Sequence, residues 1–225
     1  MRKSLPWAAS LCRLALAPFT SPPLGTERLP ERGPLLVAAN HQSFLDGVLL
    51  ATVFVHAQKR PLHLIAYDEP FRNPFFGHFL RCGGCIPFHR GDSGQAEAMI
   101  GVALACLTRG EAVGIFPEGH INPRPRLRRA RPGMAVLALA GGVPVCPAGI
   151  VGSDAVVPAG RKLPRFGPKA RVVFGDPLCF DEEAALYASA ADHPGRRAEL
   201  LASVTGRVMA AISELCGKTI STNWK

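Results

Sequence analysis

Six short apolar runs, at residues 35–39, 62–66, 85–88, 112–116, 143–150 and 170–174, recur along the chain with helical stretches between them. Several carry no charged or amide side chain at all: "LLVAA", "AVGIF" and "VPVCPAGI". Successive side chains of a strand point to opposite faces. A strand apolar at every position must therefore be buried on both faces, as in a parallel sheet covered by helices. The intervening stretches at 44–57, 73–80, 93–108, 132–140, 181–187 and 195–216 read as helices. This alternation predicts an α/β fold: a single domain with a largely parallel central sheet flanked by helices. A chain of 225 residues can bury one sizeable core of that kind. The expected organisation is an N-terminal interfacial or packing helix at 1–20 and one domain at 30–217.

Ligands of open α/β sheets bind beyond the carboxyl ends of the strands. Functional residues are therefore expected where apolar runs stop. The first run ends in "NHQSFLD", with His41 five residues before Asp46. On one continuous helix that separation places the side chains about 140° apart. With His41 in the loop and Asp46 in the first helical turn, the two meet. The carboxylate then fixes the imidazole tautomer and leaves the other ring nitrogen as a base. "SFLD" is equally a capping-box pattern, Ser43 at the cap and Asp46 three residues on, and in that case Asp46 serves the backbone alone.

Three further run ends carry candidates. "CIPFHR" stops at His89 and Arg90, and an arginine there can grip a phosphate with two parallel hydrogen bonds. "GIFPEG" stops at Glu118 and Gly119: an acid placed to accept from a hydroxyl or pair with a cation, and a glycine that lets backbone approach closely. "GGVPVCPAGIVGSD" is core, with glycine-rich edges that could border an apolar acyl slot. The run "RPRLRRAR" adds Arg124, Arg126, Arg128, Arg129 and Arg131, a cluster that attracts phosphate or stays solvated.

These four stretches, in order and at matching intervals over residues 35–152, resemble the glycerolipid acyltransferase family, whose best-known members are the 1-acylglycerol-3-phosphate acyltransferases. The resemblance implies transfer of a fatty acyl group from acyl-CoA, or acyl carrier protein, to a lysophospholipid hydroxyl. It implies His41 as general base, Asp46 as its partner, and Arg90, Glu118 and Gly119 as the residues that bind a phosphate-bearing acceptor. It implies no metal and no organic cofactor. The family's third motif commonly runs Phe-Pro-Glu-Gly-Thr-Arg, whereas this chain has His120 and Ile121 in the last two places. Two expectations follow: Arg124, or another member of the arginine run, supplies the missing charge, or the acceptor differs from lysophosphatidic acid.

The net charge of +9 fits an anionic membrane surface, a phosphorylated substrate or nucleic acid. No aromatic residue interrupts the arginine run, which counts against RNA, and no nucleic-acid partner is expected. The N-terminal stretch "LPWAASLCRLAL" reads as an interfacial or packing helix rather than a cleaved signal, because Arg13 splits its apolar run. Seven cysteines, an odd number without a second CxxC beside Cys82 and Cys85, read as reduced thiols in a cytosolic setting, most of them buried. The expected location is the cytoplasmic face of a membrane, held peripherally. Rival readings are a transacylase or thioesterase using the same His–Asp pair, and a catalytically degenerate basic membrane-binding module.

Overall fold

The computed structural model describes residues 5–88, 93–161 and 163–221. Six strands form one sheet: β1 (Leu35–Ala39), β2 (Leu62–Tyr67), β3 (Ile86–Phe88), β4 (Ala112–Ile115), β6 (Val145–Val151) and β7 (Arg171–Phe174), in the spatial order β3-β2-β4-β1-β6-β7. All neighbours are parallel except β6 and β7. The expected α/β architecture is what is found. Each apolar run of the sequence became a strand, with ends shifted by a residue or two.

β1 lies inside the sheet between β4 and β6, and all five of its residues are buried. Its side chains alternate between two cores. Leu36 and Ala38 pack with α4 (Ser93–Thr108), α5 (Gly133–Gly141) and α8 (Pro194–Cys216), while Leu35, Val37 and Ala39 pack with α2 (Leu45–Gln58). That is the period of two expected of a strand covered on both faces. On α8, Val204, Val208 and Ile212 recur every four residues and are fully buried. Burying each such side chain contributes roughly 1.5–3 kcal/mol. Where α8 crosses β6 the backbones nearly touch: a Cβ on Gly149 would lie 2.6 Å from the Leu215 carbonyl carbon.

Smaller elements complete the chain: α1 (Leu5–Leu16), which packs on α2, α3 (Pro74–Cys82), α6 (Ser153–Val156) and α7 (Asp181–Ser189). The stretch 133–153, long and uncharged, resolves into α5, a left-handed turn at Gly142 (φ 55°) and β6. Among the described residues, no helix is long and apolar enough to cross a membrane. The sequence did not foretell β5 (Arg126–Leu127) and β8 (Thr219–Ile220), which pair with each other. They clamp the arginine run to the C-terminal segment, with Leu127 buried beneath it.

The site-forming feature is a divergence of connections. From β1 the chain turns to α2 on one face; from the adjacent β4 it turns to α5 on the other. Such a switch point leaves a crevice at the carboxyl ends of the two strands. His41 follows β1 there, and Glu118 follows β4.

Candidate active site

β1 is extended past its last residue by a side chain. Asn40 donates from Nδ2 to the Ile150 carbonyl at 2.9 Å and accepts the Ile150 N–H on Oδ1 at 2.6 Å, so its amide continues the ladder to β6. This frees the next backbone units to turn. His41 then donates its N–H to Glu118 Oε1 at 3.1 Å, and its carbonyl accepts the Asn122 N–H at 2.6 Å.

Asp46, fully buried in the first turn of α2, directs one carboxylate oxygen at three donors. Oδ2 lies 2.9 Å from His41 Nδ1, 2.6 Å from the Gln42 N and 2.7 Å from the Ser43 N. The Ser43 contact is one half of a capping box, and Ser43 Oγ accepts the Leu45 N–H at 3.3 Å. The helix-cap reading and the His–Asp reading of "NHQSFLD" are therefore both realised by one carboxylate. A carboxylate can only accept, so Nδ1 carries the proton and Nε2 presents its lone pair. The imidazole stacks on Phe116, 4.1 Å between centroids at 16°, and its side chain keeps 18% exposure. An imidazolium formed on this ring would be stabilised by the buried carboxylate behind it.

Glu118 follows β4 and lies behind the His41 turn. It is 4% exposed, and both oxygens are engaged within the chain: Oε1 by His41 N–H, Oε2 by Asn122 Nδ2 at 2.7 Å and Arg128 N–H at 2.8 Å. Asn122, which the sequence did not single out, also donates to the Arg126 carbonyl at 2.8 Å. Gly119 has φ +69°, and its carbonyl accepts the Tyr67 hydroxyl. A Cβ there would lie 2.9 Å from Arg131 Nε.

His41, Phe116, Tyr67 and Gly119 border a cavity of about 740 Å3, while Asp46, Glu118 and Asn122 stand behind its wall. His41, Phe116, Tyr67, Gly119, His120, Ile121 and Arg131 form its polar end, with Phe44, 71% exposed, also on its wall. The rest is mainly apolar, walled by Val48, Ala51 and Val55 of α2, Leu62 and Leu64 of β2, and Met99 and Ile100 of α4, with Thr52 and Glu69 also on it. Of the arginine run, the residue on this wall is Arg131, at the entry to α5. Arg124 is exposed and does not line it; its carbonyl accepts from Lys218 Nζ at 3.0 Å. Arg90 lies outside the described residues; β3 ends at Phe88, partnered with Tyr67. Tyr67, Phe116 and Asn122 gave no sequence signal beyond their proximity to run ends, and Arg131 only its membership of the arginine run.

No serine or cysteine in reach of His41 has the character of a nucleophile among the described residues. Ser43 Oγ donates to the Val157 carbonyl at 2.8 Å. Cys85 borders the cavity, but burial pushes its thiol up to about 11, so only about one molecule in ten thousand carries the thiolate at neutral pH. Cys82 Sγ sits 3.4 Å from His78 Nε2. Of the seven cysteines only Cys106, Cys146 and Cys216 are buried, fewer than the sequence led one to expect, and Cys179 is exposed. At the opposite ends of the strands, His63, Cys106 and Glu111 bring possible ligand atoms within 4.8 Å of one another. Arg109 already donates to Glu111 at 2.8 Å and to Cys106 Sγ at 3.2 Å there.

A buried carboxylate thus orients a histidine at the strand ends of a parallel sheet, beside a mainly apolar cavity that an arginine also lines. Residues 24–151 match the family model described as acyltransferase, and the chain belongs to that family. An uncharacterised Mycobacterium tuberculosis protein is 31% identical over 208 residues, covering 76% of this chain and 54% of its own length. The chain thus spans about half the length of the mycobacterial relatives it matches. The 1-acyl-sn-glycerol-3-phosphate acyltransferase of Bacillus subtilis is 29% identical over 153 residues, 68% of this chain and 70% of that one. The crystal structure of the 1-acyl-sn-glycerophosphate acyltransferase of Thermotoga maritima shares the fold, with a TM-score of 0.63 at 22% identity over 90% of this chain and 77% of that one.

Proposed function

We propose that the chain is an O-acyltransferase that moves a fatty acyl group from acyl-CoA, or acyl carrier protein, to the hydroxyl of a lysophospholipid, with 1-acylglycerol-3-phosphate as the acceptor. The observation that carries this reading is the His41–Asp46 contact of 2.9 Å on the wall of an apolar cavity that also holds Arg131. His41 Nε2 takes the proton of the acceptor hydroxyl as its oxygen attacks the thioester carbonyl. A C–O bond forms, the C–S bond breaks, and the leaving thiolate takes the proton back from the imidazolium. Asp46 holds the tautomer throughout and offsets the transient positive charge. The acyl chain lies in the apolar part of the cavity, where each buried methylene contributes about 0.8 kcal/mol.

Arg131 grips the acceptor phosphate, together with Arg90. It supplies the guanidinium that the third motif lacks at Ile121, a part the sequence assigned to Arg124 or a neighbour. Gly119 leaves room for the Arg131 side chain, and Glu118 positions the His41 turn rather than touching substrate. The enzyme works peripherally on a membrane, at its cytoplasmic face.

The test is to incubate the chain with labelled acyl-CoA and a panel of lysolipids. Acylated lysophosphatidate is the expected product. His41→Ala should lower kcat at least about 10³-fold with an unchanged melting curve. Free fatty acid as the sole product, or near wild-type transfer by H41A, would overturn the reading. Arg131→Ala should raise KM for lysophosphatidate about tenfold or more and leave monoacylglycerol unaffected.

A further inference from the structure

The loop between α6 and β7 carries the two most exposed large apolar side chains among the described residues, Leu163 at 78% and Phe166 at 81%. Between Asp154 and Asp176 the chain has no acid, and five cations: Arg161, Lys162, Arg165, Lys169 and Arg171. Apolar tips set among cations match the two layers of an anionic bilayer surface, headgroup phosphates outside and acyl chains beneath. The loop is also pre-shaped. Arg165 N–H donates to the Val156 carbonyl at 2.8 Å, Arg161 N–H to the Pro158 carbonyl at 3.0 Å, and the Phe166 ring rests 5.0 Å from that of Phe19. Prolines at 158, 164 and 168 bring no N–H that would lose water on insertion.

Its position joins it to the active site. β6 runs parallel to β1, so the loop leaves the sheet at the end where His41 sits. Ser43 Oγ donates to the Val157 carbonyl at 2.8 Å and Gln42 Nε2 to Ser153 Oγ at 3.1 Å, tying the start of the loop to the catalytic turn. The next residue, Phe44, is 71% exposed on the cavity wall.

We infer that the described residues between α6 and β7 form a membrane seat: Leu163 and Phe166 enter an anionic bilayer while Arg161 and Arg165 hold its phosphates, which sets the cavity against the lipid that supplies the acceptor. This rests on the proposed lipid-acylating function, and deepens it by naming a surface that seats the enzyme on its lipid.

The experiment is sedimentation of the full chain with vesicles of phosphatidylcholine containing about one part in three of phosphatidylglycerol, without acyl donor or acceptor. Leu163→Glu/Phe166→Glu should lower partitioning about tenfold or more with an unchanged melting curve, since both side chains are already in water. Arg161→Gln and Arg165→Gln should each lower it about fivefold, and less at high salt. Phe166→Trp should show emission quenched by brominated lipid above the wild-type signal from Trp7 and Trp224. Equal partitioning of the double variant and the wild type overturns the inference. So does equal binding to pure phosphatidylcholine, or a patch whose removal only dissociates a dimer. A chain that binds vesicles through this loop yet transfers no acyl group refutes the proposed function alone. A chain that acylates detergent-dispersed acceptor but ignores the loop substitutions refutes this inference alone.

Discussion

Glu118→Gln separates two jobs that an acid beside a catalytic histidine could hold. The carboxylate, 4% exposed, accepts from His41 N–H, Arg128 N–H and Asn122 Nδ2 at 2.7–3.1 Å. A glutamine keeps one acceptor oxygen and sets an NH2 group against donors on the other side. At least one charge-assisted bond is lost, about 1.5–3 kcal/mol, and a buried donor is left unsatisfied at about 1–3 kcal/mol. Allowing for partial relaxation, the expected destabilisation is about 2–4 kcal/mol. For a domain of this size that lowers Tm by roughly 5–15 °C. Urea unfolding gives the same quantity independently. Because the His41 backbone would shift, kcat should fall at least about tenfold even at saturating acceptor. A residue that only contacts substrate behaves in the opposite way: stability within about 0.5 kcal/mol of wild type and the whole effect in KM. E118Q with that signature would refute the positioning role.

Asp46→Asn should lower kcat about 10²–10⁴-fold and destabilise the chain, since one substitution removes both the tautomer lock and half the helix cap; kinetics and melting on one preparation check this. Gly119→Ala forces a side chain into φ +69° and against Arg131, so a loss of about 1–2 kcal/mol should accompany a raised KM for the phosphorylated acceptor. A thiol reagent at pH 8 should label exposed Cys179 first and spare Cys85 and Cys146, whose thiols burial pushes up to about 11 and about 12; mass spectrometry reads the order. Arg109 holds the Glu111 carboxyl below its ordinary value. The folded state then binds fewer protons than the unfolded one in the acid range, so this contribution is complete above the ordinary carboxylate value and fades as pH falls through the folded one. Acid unfolding of Glu111→Gln should lack that component, a small one because the pair is solvent-screened.

The strands that sequence patterning revealed most directly are those whose burial is two-sided. β1 and β4 read as strands because every position is apolar, and the sheet accounts for why: both faces are covered. β5 and β8 escaped notice because two residues carry no period, and only the pairing of distant segments makes them strands. The same division runs through the site. His41 and Asp46 are close in sequence and the turn between them is local, so their meeting could be argued from spacing. Glu118 could not be read that way: besides the nearby Asn122 amide, its partners are backbone N–H groups 77 residues before and 10 after it. Which arginine of the run borders the cavity depends on where α5 begins: Arg131 lines it and Arg124 does not.

The distribution of buried polarity ties these observations together. Eight polar or charged residues are buried among the described ones, and seven of them (all but Thr52) belong to one network around the His41 turn. Asn40 and Ser43 bind it to β6 and the loop beyond, Gln42 to Ser153, Asp46 to the ring itself, and Glu118 with Asn122 to β4 and the arginine run. Burying polar groups gains little net stability even when all are satisfied, and an apolar turn of the same shape would cost less to fold. A scaffold that only bound membranes would have no use for such a network. A base that must hold one tautomer and one position would, because a displacement of about 1 Å at the reacting atoms can cost a hundredfold in rate. The convergence of that polarity on His41, which lines a mainly apolar cavity, is therefore the physical argument for catalysis over simple binding.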